Sequence, residues 1–93
     1  MHFEWWPGAY ALLADADVEP WEAIEVLYSA RRRPRPARTA EGLPVLTVWG
    51  RTDSDRPLVV VLRQLAEGQW QIIRAVEMTP AYIRVFEEWE AQQ

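Results

Sequence analysis

Three apolar runs between residues 44 and 76 decide the fold: Val45-Leu46-Thr47-Val48-Trp49, Leu58-Val59-Val60-Val61-Leu62 and Trp70-Gln71-Ile72-Ile73-Arg74-Ala75-Val76. Each is short and rich in β-branched or aromatic side chains, which suits a strand, whereas a helix needs a longer run with a period near 3.6. The breaks between them are Arg51-Thr52-Asp53-Ser54-Asp55-Arg56-Pro57 and Leu65-Ala66-Glu67-Gly68-Gln69. Both have the length that joins antiparallel neighbours and are too short for a parallel crossover. The stretch therefore predicts a three-stranded antiparallel meander. It leads into Thr79-Pro80, an N-cap followed by Pro at the first helical position. Tyr82, Val85, Phe86 and Trp89 then recur at i, i+3, i+4, i+7 as the apolar stripe of a helix reaching about Ala91, with Arg84, Glu87, Glu88 and Gln92 opposite.

Upstream, His2-Phe3-Glu4-Trp5 alternates like a terminal strand added to the sheet edge, and Pro7-Gly8 ends it. Ala9 to Ala14 reads as a short helix facing the sheet through Tyr10, Leu13 and Ala14. Pro20 opens a second helix to about Tyr28, with Trp21, Ile24 and Leu27 or Tyr28 as its buried stripe. Pro34 and Pro36 forbid a helix or a central strand over Arg31 to Thr39, leaving an edge strand or an extended arm. Thr39-Ala40-Glu41-Gly42 turns the chain into the meander. The expected whole is one α+β domain over residues 1–93. It has an antiparallel sheet of four to five strands, two N-terminal helices and one C-terminal helix, banked mainly against one face.

Composition narrows the chemistry. With no Cys and a single His, His2, the chain has no disulfide framework, no thiolate nucleophile and no ligand set for structural zinc; no metal or cofactor is expected. No apolar run approaches the ~20 residues of a membrane span, and no basic segment precedes an apolar one at the N-terminus, so the expectation is a cytoplasmic protein. The net charge of −4 disfavours a surface that binds nucleic acid everywhere. The distribution is segregated, however. Six acids and no Arg occupy Met1 to Leu27; then Arg31, Arg32, Arg33, Arg35 and Arg38 arrive within eight residues.

In this order, several strings resemble the BrnT family, the toxin half of a type II toxin–antitoxin pair with a RelE-like ribonuclease fold. Phe3-Glu4-Trp5 resembles its opening strand, and Val18-Glu19-Pro20-Trp21-Glu22-Ala23-Ile24-Glu25-Val26-Leu27 its second-helix string. Gly50 to Val61 resembles its hairpin, and Ile72-Ile73-Arg74-Ala75-Val76-Glu77-Met78-Thr79 its strand-to-helix joint. The similarity runs in register over nearly the whole chain. It implies a bacterial growth inhibitor that cleaves RNA and is held by a cognate ribbon-helix-helix antitoxin, with oligomers possible. The departures fall on chemistry: Asp15-Ala16-Asp17 replaces a basic residue, His and Gly, Val76 stands where an Arg is usual, and Glu19 replaces the Thr that would cap the second helix.

A ribonuclease of this kind needs cations on the scissile phosphate and a group to move the 2′-hydroxyl proton, with electrostatic stabilisation the larger share. By the resemblance the catalytic candidates are Arg51, at the hairpin start, with Arg63 and Arg74 on neighbouring strands as a two-guanidinium clamp. The bland alternatives are a solvated Arg63 paired with Glu67 and an Arg74 in a structural ion pair. No general base is evident: His2 is terminal, and Glu22 and Glu77 read as ordinary surface acids. Arg31, Arg32, Arg33, Arg35 and Arg38 are candidates for gripping RNA or an acidic partner protein, against the plain reading of a solvated edge shielded by Pro and charge. Two functions therefore stand: an RNA-cleaving toxin, or a catalytically silent relative that docks an antitoxin or other partner.

Overall fold

The computed structural model describes all 93 residues. The meander strands are β3 (Pro44–Arg51), β4 (Pro57–Ala66) and β5 (Gln69–Glu77), preceded by β1 (His2–Trp5) and β2 (Arg33–Arg38). They form one five-stranded sheet in the order β1-β5-β4-β3-β2. Four strands are antiparallel neighbours, and β1 joins the free side of β5 in parallel, so the sheet is mixed. The parallel pairing follows from connectivity: α1 (Ala9–Asp15) and α2 (Pro20–Leu27) carry the chain across one face before β2 opens the far edge. Gly68, at φ +74°, supplies the left-handed turn between β4 and β5.

The helices lie on both faces, a correction to the one-sided arrangement. On β4, Leu58, Val60 and Leu62 enter a core with Ala9, Leu13, Val18, Ala23, Val26 and Leu27, from α1, α2 and the turn between them. Val59 points the other way, into a second core with Met78 and Phe86, against which Trp49, Val76, Ile83 and Trp89 pack. Helix α3 (Pro80–Glu90) thus covers the opposite face. An uninterrupted apolar run is what a strand covered on both sides requires. Phe86 is fully buried, which by area is worth roughly 1.5–3 kcal/mol.

Two helical stripes are rotated from expectation. In α2 the buried positions are Ala23, Val26 and Leu27, while Trp21 is 61% and Tyr28 68% exposed. The reason is close approach: a Cβ on Gly50 of β3 would lie 3.1 Å from Val26 Cγ1, so the helix comes down on its small side and a Trp there would not fit. In α3, Tyr82 and Val85 are exposed beside the buried Phe86, and Tyr82 stacks on Trp49 at 4.7 Å. The start of α2 is better held than Glu19 suggested, since the Glu22 carboxylate accepts the Glu19 N–H at 2.9 Å. No helix is long and apolar enough to cross a membrane.

Candidate functional site

The loop between β3 and β4 gathers two of the ten guanidiniums. Thr52 organises it, donating its N–H to the Arg56 carbonyl at 2.9 Å and accepting the Arg56 N–H on Oγ1 at 3.0 Å. Asp55 sits at φ +72°, and its carbonyl accepts from Arg51 Nη1 at 3.3 Å. Arg51 grips Glu90 at the end of α3 with a fork, Nε to Oε2 at 3.1 Å and Nη2 to Oε1 at 3.0 Å, with Asp55 and Glu87 also within 4 Å. Arg56 bridges Glu22 of α2 and Glu77 of β5, both at 2.9 Å, and donates to the carbonyl of Asp17, itself at φ +57°. Both guanidiniums are held above their ordinary pKa, Arg51 chiefly by its hydrogen bond to Glu90 and Arg56 by that to Glu77.

These pairs are clamps. Arg51 ties α3 to the hairpin, and Arg56 ties α2 to the end of the sheet. Glu22 and Glu77, expected as ordinary surface acids, are therefore structural partners, and Arg56, which no local sequence signal marks, is a hub. Only contacts distant in sequence reveal it. The groove beside Arg51, about 710 Å³, is also lined by Glu25, Asp53, Asp55 and Glu90. Four carboxylates against Arg51 and Arg31 make it a poor seat for a phosphate.

The other end of the α3-side face differs. Helix α3 covers Val59, Val76 and part of Trp49 and stops there, leaving the surface over β2, β3, β4 and β5 open. A groove of about 620 Å³ runs across it, floored by Val45, Thr47, Val61 and Ile73 and edged by Arg38, Arg63 and Arg74. Arg74 reaches this face through a β-bulge. Val61 pairs with Arg74 but Leu62 pairs with Ile72, so Ile73 is extra and inverts the alternation between them. Strict alternation would put Trp70, Ile72, Arg74 and Val76 on one face; with the bulge, Ile72 and Trp70 belong to the α1/α2 side, Arg74 and Val76 to the α3 side.

Arg63 and Arg74 both line this groove from neighbouring strands, while Arg51 lies at the opposite end, paired with Glu90 of α3. Arg63 donates to the side-chain oxygen of Gln71, its cross-strand partner, and not to Glu67. Arg74 is exposed, and neither has a carboxylate within 4 Å. Arg35 joins the rim from β2, placed by a relay in which Trp49 Nε1 donates to Thr47 Oγ1 at 3.1 Å and the Thr47 hydroxyl to the Arg35 carbonyl at 2.6 Å.

The arm resolves into separate duties. Arg32 folds back onto the Ser29 carbonyl at 2.8 Å, Arg33 lies over the Trp89 ring at 5.9 Å, and Arg38 holds the Gly42 carbonyl at 2.9 Å. Arg31 borders the acidic groove. His2 pairs with Gln69 in register on the edge strand β1 and makes no ion pair. Glu41, in the turn before β3, is the one carboxylate lining the open groove. No group of three or more His, Asp or Glu side chains is arranged to hold a metal ion. Compared with known proteins, the chain matches no family model and no curated protein.

Proposed function

We propose that this chain is a binding module without catalytic chemistry, a BrnT-like scaffold whose open sheet face docks an acidic, amphipathic segment of a partner protein. The observation that carries the reading is the contrast in guanidinium pairing. Arg35, Arg63 and Arg74 ring an aliphatic floor with no carboxylate on them, whereas Arg51 has its fork filled by Glu90. Ribonuclease chemistry would need Arg51 to leave that pair and a proton-transfer group to stand beside Arg63 and Arg74. The groove holds no His, and its one carboxylate lies in a turn. The groove is lined mainly by aliphatic side chains, with Trp6 among them, and suits Val, Leu or Ile from a partner. The cationic rim supplies charge complementarity and steers encounter with an acidic segment.

The string resemblance to BrnT supports an antitoxin-like partner as the source of that segment. Calorimetric titration with a synthetic peptide alternating Glu with Leu or Val tests the face directly. Binding should weaken as salt rises, and Arg63→Glu with Arg74→Glu should weaken it at least tenfold, about 1.4 kcal/mol. RNA cleavage that disappears in Arg74→Ala would overturn the proposal in favour of the ribonuclease.

A further inference from the structure

The two edges of the sheet are built differently. On β2, Thr39 N–H donates to the Leu43 carbonyl at 2.9 Å, which sets the parity of the β2–β3 ladder: Arg33, Arg35 and Ala37 bond inward, and Pro34, Pro36 and Arg38 face outward. Two of those three outward positions lack an N–H, so a further strand would find almost no donors there. On β1, His2 N–H bonds the Gly68 carbonyl at 2.8 Å and Trp6 N–H the Ile72 carbonyl at 2.9 Å. Even-numbered residues thus bond inward to β5, and Phe3 and Trp5 direct N–H and C=O out of the sheet. No proline blocks this edge. Beside it, Tyr10, 54% exposed, lies 5.1 Å from Trp5, and exposed Tyr28 lies 6.0 Å from Phe3, forming an apolar ledge on the α1/α2 side.

We infer that β1 pairs antiparallel with β1 of a second copy of this chain, Phe3 opposite Phe3, to give a two-fold dimer with a continuous ten-stranded sheet. This register sets Met1 against Trp5 and His2 against Glu4, each twice. The odd residues are the ones with free backbone groups, so every pair among them completes its hydrogen bonds. His2 and Glu4 are both exposed and neither has an ion-pair partner within the chain. They meet at non-hydrogen-bonded positions, where cross-strand side chains come closest, and an imidazole there can donate to the opposing carboxylate. The competing register, Phe3 opposite Trp5, would set Glu4 against Glu4, an unfavourable like-charge pair. The assembly closes at two, because both outer edges of the joined sheet are then the proline-bearing β2. The inference rests on the β1 backbone and on His2 and Glu4, neither of which lines the Arg-rimmed groove, so it stands independently of the docking function.

Sedimentation equilibrium of the full chain, with amide hydrogen exchange at Phe3 and Trp5, is the test. The expected result is a monomer–dimer equilibrium in which those two amides gain protection as concentration rises. His2→Glu should weaken the dimer about tenfold or more, His2→Arg should tighten it, and the exchanged variant His2→Glu with Glu4→His should restore it. All four side chains concerned are on the surface, and circular dichroism of each variant verifies folding. A chain that stays monomeric throughout, or a dimer indifferent to His2→Glu with Phe3 and Trp5 unprotected, overturns the inference.

Discussion

Arginine does opposite work at the two ends of the sheet. At the loop end, Arg51 and Arg56 are each held by two or more carboxylates, drawn from elements distant in sequence. At the open end, Arg35, Arg63 and Arg74 carry the same charge and form no ion pair. A guanidinium's role is set by what the fold places opposite it. One whose fork is filled joins elements, and one left open beside an aliphatic floor is available to something else. The cost of the division is visible in the backbone: Asp17 and Asp55 both take left-handed φ while offering their carbonyls to the clamping arginines.

The comparison can be broken most forcefully where α3 meets the sheet. Phe86→Ala removes the fully buried ring of the smaller core and should cost about 3–5 kcal/mol. That is a large share of a small domain's stability, visible as a lower urea midpoint. Arg56→Met ranks next. It strands Glu22, only 14% exposed on its side chain, and should cost about 1–3 kcal/mol by the same measurement. Arg63→Glu with Arg74→Glu should leave the urea midpoint nearly unmoved, within about 0.5 kcal/mol, while removing peptide binding. If instead it destabilised the fold as much as Arg56→Met, the two ends would not differ in kind.

The pH response sharpens the same point. Raised pKa values at Arg51 and Arg56 mean that their stabilisation is complete below the ordinary guanidinium value and is lost only as pH climbs past the raised one. Wild type and Arg56→Met should therefore keep a constant stability difference between pH 7 and about 9. The smallest effect belongs to Pro34→Ala with Pro36→Ala. It restores two outward donors on β2, should change stability little, and should allow association beyond the dimer, detected by light scattering.

How much of this was readable in the sequence depended on the range of the interaction. The meander and the Thr79-Pro80 helix start were readable because strand period, turn length and capping are local. The run Leu58 to Leu62 already carried the sign of helices on both faces, since a half-exposed strand would alternate. The direction of Arg74 was not readable, because one bulged residue, Ile73, inverts the phase and leaves no mark in composition. Nor were the Arg51–Glu90 and Arg56–Glu22 clamps, whose partners stand 39 and 34 residues apart. The side of α2 that packs was hidden by Gly50, which rewards a small contact over a Trp.

The central claim is that open guanidiniums bind and filled ones hold. It is tested most directly by measuring, on one preparation each of wild type, Arg51→Met and Arg63→Glu with Arg74→Glu, both affinity for the acidic amphipathic peptide and cleavage of a labelled RNA. The account predicts peptide binding that survives Arg51→Met and is lost in the double variant, with no cleavage in any of the three. Cleavage by wild type that is lost in either variant would contradict it.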